Sequence, residues 1–207
     1  MMGPLYGVAL DRGHPLEAIY PDGHRVAVPV DEWRGPLLPG DDPVLERCSA
    51  ATLDVGCGPG RMTAALQRRG VATLGIDSDP TAVQLARKTG ALVRQCDVFG
   101  NVPLVGRWSS VLLVDGNIGI GGAPLVLLRR VAELAAPEVR ILVEVEGPTE
   151  RSGLVELRLA SGDAVSAPFR WAQLAVQDAA SVAALAQLRV QELWEEAGRW
   201  FVTLRRS

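Results

Sequence analysis

The run Asp54-Val55-Gly56-Cys57-Gly58-Pro59-Gly60 constrains this chain more than any other feature. Ahead of it, Ala51 to Val55 is an apolar run of strand length. Behind it, Arg61 to Arg69 places Met62, Ala65 and Leu66 at helical spacing before the stop at Gly70. A strand, three glycines at alternate positions and a helix bring a ligand close to a helix N-terminus, because the missing side chains leave room and the first helical N–H groups lack partners. A dinucleotide-binding turn of this kind wants a small residue three positions after the second glycine. That position is Arg61, whose side chain would crowd both a pyrophosphate and the helix–strand packing.

The alternation continues downstream. Ala72 to Ile76 reads as extended, Pro80 to Lys88 as a helix capped by Asp79 and ended by Gly90, and Ala91 to Arg94 as extended. Val111 to Val114 forms a fourth strand, Pro124 to Leu134 a helix, and Val139 to Val145 a strand whose apolar centre suits burial on both faces. Asp178 is expected to cap an alanine-rich helix to about Leu188. Arg189 to Glu195 and Trp200 to Leu204, joined at Ala197-Gly198, then close the chain as a hairpin. Strands alternating with helices predict an α/β fold with a doubly wound, mostly parallel sheet.

Two flanking segments have a different character. Residues 1–43 are rich in Gly and Pro and carry a hairpin signal at Asp22-Gly23 before Val26-Ala27-Val28, with Pro29 marking an edge. They are expected to form a hairpin or lid in front of a main domain spanning 44–207, with Pro43 opening a short helix through Cys48. In residues 147–171, Val155, Leu157 and Leu159 alternate with charged residues. Ser161-Gly162-Asp163 supplies a turn, and Ala164 to Trp171 returns, predicting a β-hairpin insert near the mouth of the sheet.

From Leu53 to Gly60 the chain resembles the class I S-adenosylmethionine-dependent methyltransferases, whose first motif is an acidic residue followed by x-G-x-G-x-G. The resemblance spans roughly residues 45 to 146. It implies a Rossmann-like, seven-stranded, mostly parallel sheet with an antiparallel C-terminal strand, and S-adenosylmethionine as cofactor. It also implies that Gly56, Cys57, Gly58 and Gly60 pack on the methionine part of the cofactor and that Asp54 helps bind its amino group. Asp77, 21 positions after Gly56 (77 − 56), falls where the family places a carboxylate for the ribose hydroxyls, with Ser78 beside it. Two acceptor oxygens suit two vicinal donors. Asp97 matches the position that contacts the adenine amino group, with Val98 packing on the ring, although Asp97 could equally be only a local cap. Asp115 opens a glycine-rich loop, Asp115 to Gly122, at the same edge of the sheet.

Composition narrows the acceptor. A net charge of −3 and a pI near 5.5 provide no basic field for nucleic acid. The family's Asn/Asp-Pro-Pro-aromatic tetrapeptide, which marks nucleic-acid and protein-glutamine methyltransferases, is missing after the fourth strand. A small-molecule acceptor is therefore expected. No run approaches the ~18 apolar residues of a membrane helix, and the first residues lack a signal-peptide layout, so a cytoplasmic monomer or homodimer is expected. Cys48, Cys57 and Cys96 have neither disulfide nor zinc spacing, and with only two histidines no metal is expected. The candidate catalytic groups are Asp115 and His14, the latter folding over from the N-terminal segment. Candidate acceptor contacts are Asn117, Glu144 and Trp171, with Glu146 on the same strand as Glu144. A nicotinamide-dependent oxidoreductase and a non-catalytic cofactor-binding module are the alternatives. Arg61 weighs against the first.

Overall fold

The structure, a computed structural model, describes residues 3–207. Residues 1 and 2 of the expected N-terminal segment lie outside the described residues. The chain opens with α1 (Pro4–Arg12), β1 (Glu17–Ile19), β2 (Arg25–Ala27), α2 (Val30–Arg34) and α3 (Asp41–Arg47). The glycine turn lies in the unit β3 (Thr52–Val55), α4 (Arg61–Arg68), β4 (Thr73–Asp77), α5 (Pro80–Lys88) and β5 (Val93–Gln95). Next come β6 (Trp108–Leu113), a 3-10 segment at Asn117–Gly122, α6 (Pro124–Leu134) and β7 (Ala135–Val145). The chain ends through β8 (Gly153–Ser161), β9 (Ala164–Val165), β10 (Phe169–Gln173), α7 (Val176–Leu185), β11 (Leu188–Glu196) and β12 (Arg199–Arg206).

Seven strands form the main sheet in the order β11-β12-β7-β6-β3-β4-β5. The pairs from β5 to β7 are parallel, while β12 runs antiparallel to both β7 and β11. This is the expected doubly wound sheet with its reversed last strand. Side-chain alternation sends Val111 and Leu113 of β6 into a core shared with α6 and α7. Leu112 and Val114 enter a second core on the opposite face, with α3 and α4. Because the order reverses between β3 and β6, the carboxyl ends of these two strands flank a crevice, the place where such sheets accept ligands.

The N-terminal segment and the insert are a single structural unit. β1 pairs antiparallel with β8, with Glu17 opposite Ala160, and a second sheet runs in the order β10-β8-β1-β2, with β9 added on β8. It has its own core, in which Tyr6, Ala9 and Leu10 of α1 pack with Leu16, Val30, Leu159 and with Ala82 of α5. The hairpin around Asp22-Gly23 forms as expected. The sequence reading had no helix at Pro4–Arg12, although Pro4 at its first turn and left-handed Gly13 just past its end are the usual start and stop of a helix.

Two helix starts differ from expectation. α7 begins at Val176 after Ala175, so Asp178 lies inside the first turn and accepts a hydrogen bond from Ser152 Oγ at 2.6 Å; it is not the cap. The helix ends at Leu185, earlier than expected. α3 begins at Asp41 behind left-handed Gly40, which puts Pro43 within the first turn.

Candidate cofactor and acceptor site

Local hydrogen bonds fix the glycine turn. The N–H groups of Gly56 and Cys57 both donate to Ile76 O (2.9 and 3.0 Å), and Gly58 N donates to Asp77 Oδ2 at 2.9 Å. Gly56 has φ +72°, and a Cβ there would lie 2.8 Å from the Asn117 amide, so both conformation and space demand glycine. Gly60 serves packing: a Cβ on it would come within 2.9 Å of Ala86 Cβ, which lets α4 approach α5. It lines neither cavity described below. Cys57 is buried with its thiol against Gly75, and burial pushes that thiol well above its ordinary range.

A cleft of about 590 Å³ opens at the carboxyl ends of β3, β4 and β5, roofed by α1 and flanked by the 3-10 segment and β10. That volume falls in the range of small-ligand sites. Asp77, Ser78, Asp97 and Val98 line it, as do Gly56 and Asn117. Asp77 is 8% exposed and accepts from the backbone of Gly58 and, at 2.8 Å, of Asp79. Burial raises its pKa, and those N–H donors partly offset the rise. Asp79, not Asp77, caps α5, through the N–H groups of Thr81 and Ala82. Asp97 accepts from Phe99 N at 2.9 Å, so it supports its own turn while facing the cleft.

Behind Gly56 lies a smaller chamber of about 30 Å³, lined by Asp54, Gly58, Arg61, Asp115 and others. Asp54 is fully buried and accepts from Thr63 Oγ1 at 2.7 Å. Burial pushes its carboxyl up to about 7, partly opposed by that hydrogen bond. Arg61 is buried between carboxylates, pairing with Asp41 and donating to both oxygens of Asp115 (2.8 and 2.7 Å). Arg199 joins the same cluster through Asp41 (2.8 Å), Glu144 (2.9 Å) and Asp115 (3.4 Å). Burial acts to lower the Arg199 pKa, but the hydrogen bond and charge of Glu144 and the charge of Asp115 carry it above its ordinary value. Asp115 N also donates to Glu144 Oε2 at 2.6 Å. The Asp115 carboxyl is raised by burial against the opposing pull of Arg61. The network ties α3, α4 and the ends of β6, β7 and β12 together. It holds Asp115 and Glu144 in ion pairs, and neither lines the larger cleft.

On the other side of the cleft, the Asn117 amide donates to the carbonyls of Val55 and Gly56 (2.9 and 3.0 Å). Trp171 lines the cleft with its indole laid on Gly119, where a Cβ would lie 2.4 Å from Trp171 Nε1 and 2.3 Å from Ala172 O. His14 is exposed beyond the end of α1 and lines neither cavity, because α1 carries the chain past the cleft before His14 is reached. Glu146 sits at the isolated bridge to Ala175, away from the cleft. Sequence reasoning missed Tyr6. It is buried, lines both cavities, and stands edge-on to Trp33 with ring centres 6.1 Å apart. Burial and the charges of Asp77 and Asp79 push its phenol well above the usual range, so it remains a protonated donor. Among the described residues no cluster of side chains could hold a metal ion, and no helix is long and apolar enough to cross a membrane.

Residues 52–104 match the family model described as a methyltransferase domain. The fold is similar along 98% of this chain to 92% of an S-adenosylmethionine-dependent methyltransferase from Bacteroides fragilis, solved with S-adenosyl-L-homocysteine, at TM-score 0.81 and 21% identity. It is also similar to 1,6-didemethyltoxoflavin-N1-methyltransferase from Burkholderia thailandensis (TM-score 0.63, 19% identity, 81% of this chain and 76% of that one). A sugar N-methyltransferase from Streptoalloteichus shares the fold at TM-score 0.57 and 19% identity over 81% of this chain and 85% of that one. No curated protein matches the sequence. The chain therefore has the fold of the class I, Rossmann-like, S-adenosylmethionine-dependent methyltransferases, with residues 52–104 matching a methyltransferase-domain model.

Proposed function

We propose that this protein binds S-adenosylmethionine in the large cleft and transfers its methyl group to a small-molecule acceptor. The observation that carries this reading is the glycine turn, in which Gly56 lines the cleft beside the Asp77 carboxylate on the adjacent strand end and Gly58 donates its N–H to that carboxylate. Both the missing Cβ atoms and the carboxylate suit a methionine-plus-ribose ligand, and the turn would hold the first while Asp77 accepts from the second. Asp97 and Val98 would meet the adenine. Asp54, in the chamber behind Gly56, would face the amino group. When bound, the cofactor supplies an electrophilic methyl group: the acceptor's lone pair forms the new bond to carbon, the carbon–sulfur bond breaks and its electron pair stays on sulfur.

The residues of this chain then act by position. α1 and β10 cover the cleft and exclude water, and Tyr6 and Asn117 border the route from the glycine turn to the acceptor side. Similar structures of a 1,6-didemethyltoxoflavin N-methyltransferase and of a sugar N-methyltransferase support a small acceptor. Calorimetry with S-adenosylhomocysteine and with NAD tests the cofactor directly. Binding of the first alone is expected, and binding of NAD alone would transfer the site to the oxidoreductase class. Gly58→Val, whose Cβ position already lies 3.4 Å from the Tyr6 hydroxyl at φ +53°, is expected to abolish that binding.

A further inference from the structure

Resting on the cofactor assignment above, we infer that the acceptor is an uncharged, planar heteroaromatic molecule that packs on the indole of Trp171. Charge is unevenly distributed around the cleft. Its charged residues are Asp11, Arg12, Asp77, Asp79 and Asp97. Asp77, Asp79 and Asp97 lie at the ends of β4 and β5, on the ribose and adenine side, and each already accepts backbone N–H groups. Asp11 and Arg12 are exposed at the far end of α1, one turn beyond Gly7, which is pressed against Thr81 and Asp79 of α5.

The opposite side of the cleft is uncharged. Asn117 abuts Gly56, and Trp171 rests on Gly119, two residues further along the same 3-10 segment. The indole is thereby placed on the same 3-10 segment that carries Asn117. Tyr6 belongs to the charged side, its hydroxyl near Gly58 and its neighbour Gly7 against Asp79. Ile120 completes the wall. The Asn117 amide is occupied by two carbonyls, and the ionised neighbours Asp115, Glu144, Arg61 and Arg199 are closed on one another in the chamber behind. An ammonium or carboxylate held against this wall would thus lose its hydration without gaining a counter-charge from it. A flat ring would instead stack or pack edge-on against the indole. The tight seat on Gly119 fixes the indole, so the wall is rigid before the acceptor arrives. The same wall offers no histidine or free carboxylate to remove a proton, which suits a ring nitrogen whose lone pair is available without one.

The test uses the full chain saturated with S-adenosylhomocysteine and, as probes, indole, quinoline, D-glucosamine and 4-hydroxybenzoate, followed by saturation-transfer NMR and calorimetry. Quinoline and indole are expected to bind. Trp171→Ala is expected to weaken them about tenfold or more while S-adenosylhomocysteine affinity stays within about twofold. Trp171→Phe, which keeps an aromatic wall, is expected to restore much of the loss. Preferential binding of glucosamine or hydroxybenzoate, binding of none of the four, or planar-probe affinity indifferent to Trp171→Ala would each overturn the inference. Failure to bind S-adenosylhomocysteine at all is read before any probe is added and overturns the cofactor assignment itself.

Discussion

The unit from β3 to β5 and the sheet that covers it are built on different sequence scales. In the first, partners are near neighbours: Thr52 pairs with Thr73, 21 residues on (73 − 52), and β3 and β4 are each followed directly by a helix, α4 and α5. In the second, Glu17 pairs with Ala160, 143 residues away (160 − 17), and the short strands of the N-terminal segment find cover only by joining the insert. The cofactor unit is a local device with fixed spacing, and the cover is assembled from remote parts around it. The cover meets this unit at Gly7 against α5, and it meets the 3-10 segment at Gly119 under Trp171, both contacts where no additional atom fits. Binding of the cofactor should accordingly depend on the local unit, and choice of acceptor on the cover.

Substitutions can separate the two. The largest effect is expected at Arg61, 4% exposed between Asp41 and Asp115. Arg61→Ala strands buried carboxylates and is expected to cost about 3–5 kcal/mol of stability, measured by urea unfolding. A loss below about 1 kcal/mol would mean that the cluster does not hold α3, α4 and β6 together. Next is Asp77→Ala, expected to weaken S-adenosylhomocysteine about 100-fold or more in calorimetry, since charged hydrogen bonds contribute about 1.5–3 kcal/mol each. The same change also strands the N–H groups of Gly58 and Asp79, so Asp77→Asn is the better partner variant for separating binding from folding. Affinity unchanged in both would remove Asp77 from the ribose site.

A smaller, pH-dependent effect belongs to Asp54. Its folded pKa of about 7 lies above the unfolded value of about 3.9, so between these the folded state holds a proton that the unfolded state has released. Stability from this group is full below about pH 4 and declines as pH rises to about 7, by at most about 1.4 kcal/mol per pH unit. Unfolding curves of wild type and Asp54→Asn across this interval should differ in slope, the variant being flatter; parallel curves would refute the buried, neutral carboxyl. The smallest effect on cofactor binding is expected from Gly119→Ala. It must displace Trp171 and the β10 backbone, lowering stability by about 1–3 kcal/mol, yet it should leave S-adenosylhomocysteine affinity within about threefold. A cofactor loss as large as that of Asp77→Ala would show that cover and cofactor unit are not separable.

Legibility followed the same division. The glycine turn, the Asp79 cap, the reversed final hairpin and the positions of Asp77 and Asp97 at strand ends were readable because each depends on residues within a few positions of one another. The turn at Asp22-Gly23 and the alternation at Val155, Leu157 and Leu159 were readable too, but not that the two hairpins join, since pairing across 143 residues leaves no local mark. α1 was hidden by its glycines, although Pro4 and Gly13 bracket it; with it went Tyr6. Asp115 and Glu144 looked like open functional groups because the sequence does not show that Arg61 and Arg199 converge on them. Nor could it show His14 carried out of the cleft.

By itself, then, the sequence determined the fold class and the turn that faces the cleft, through backbone conformations available to Gly56 and Gly58 and a carboxylate at a fixed distance along the chain. Tertiary structure alone decided which charges are neutralised and which surfaces face the reacting side. Ion pairing of Arg61 and Arg199 and the meeting of α1, Gly119 and Trp171 arise from segments brought together by burial, and a side chain's charge state and exposure are properties of that surrounding.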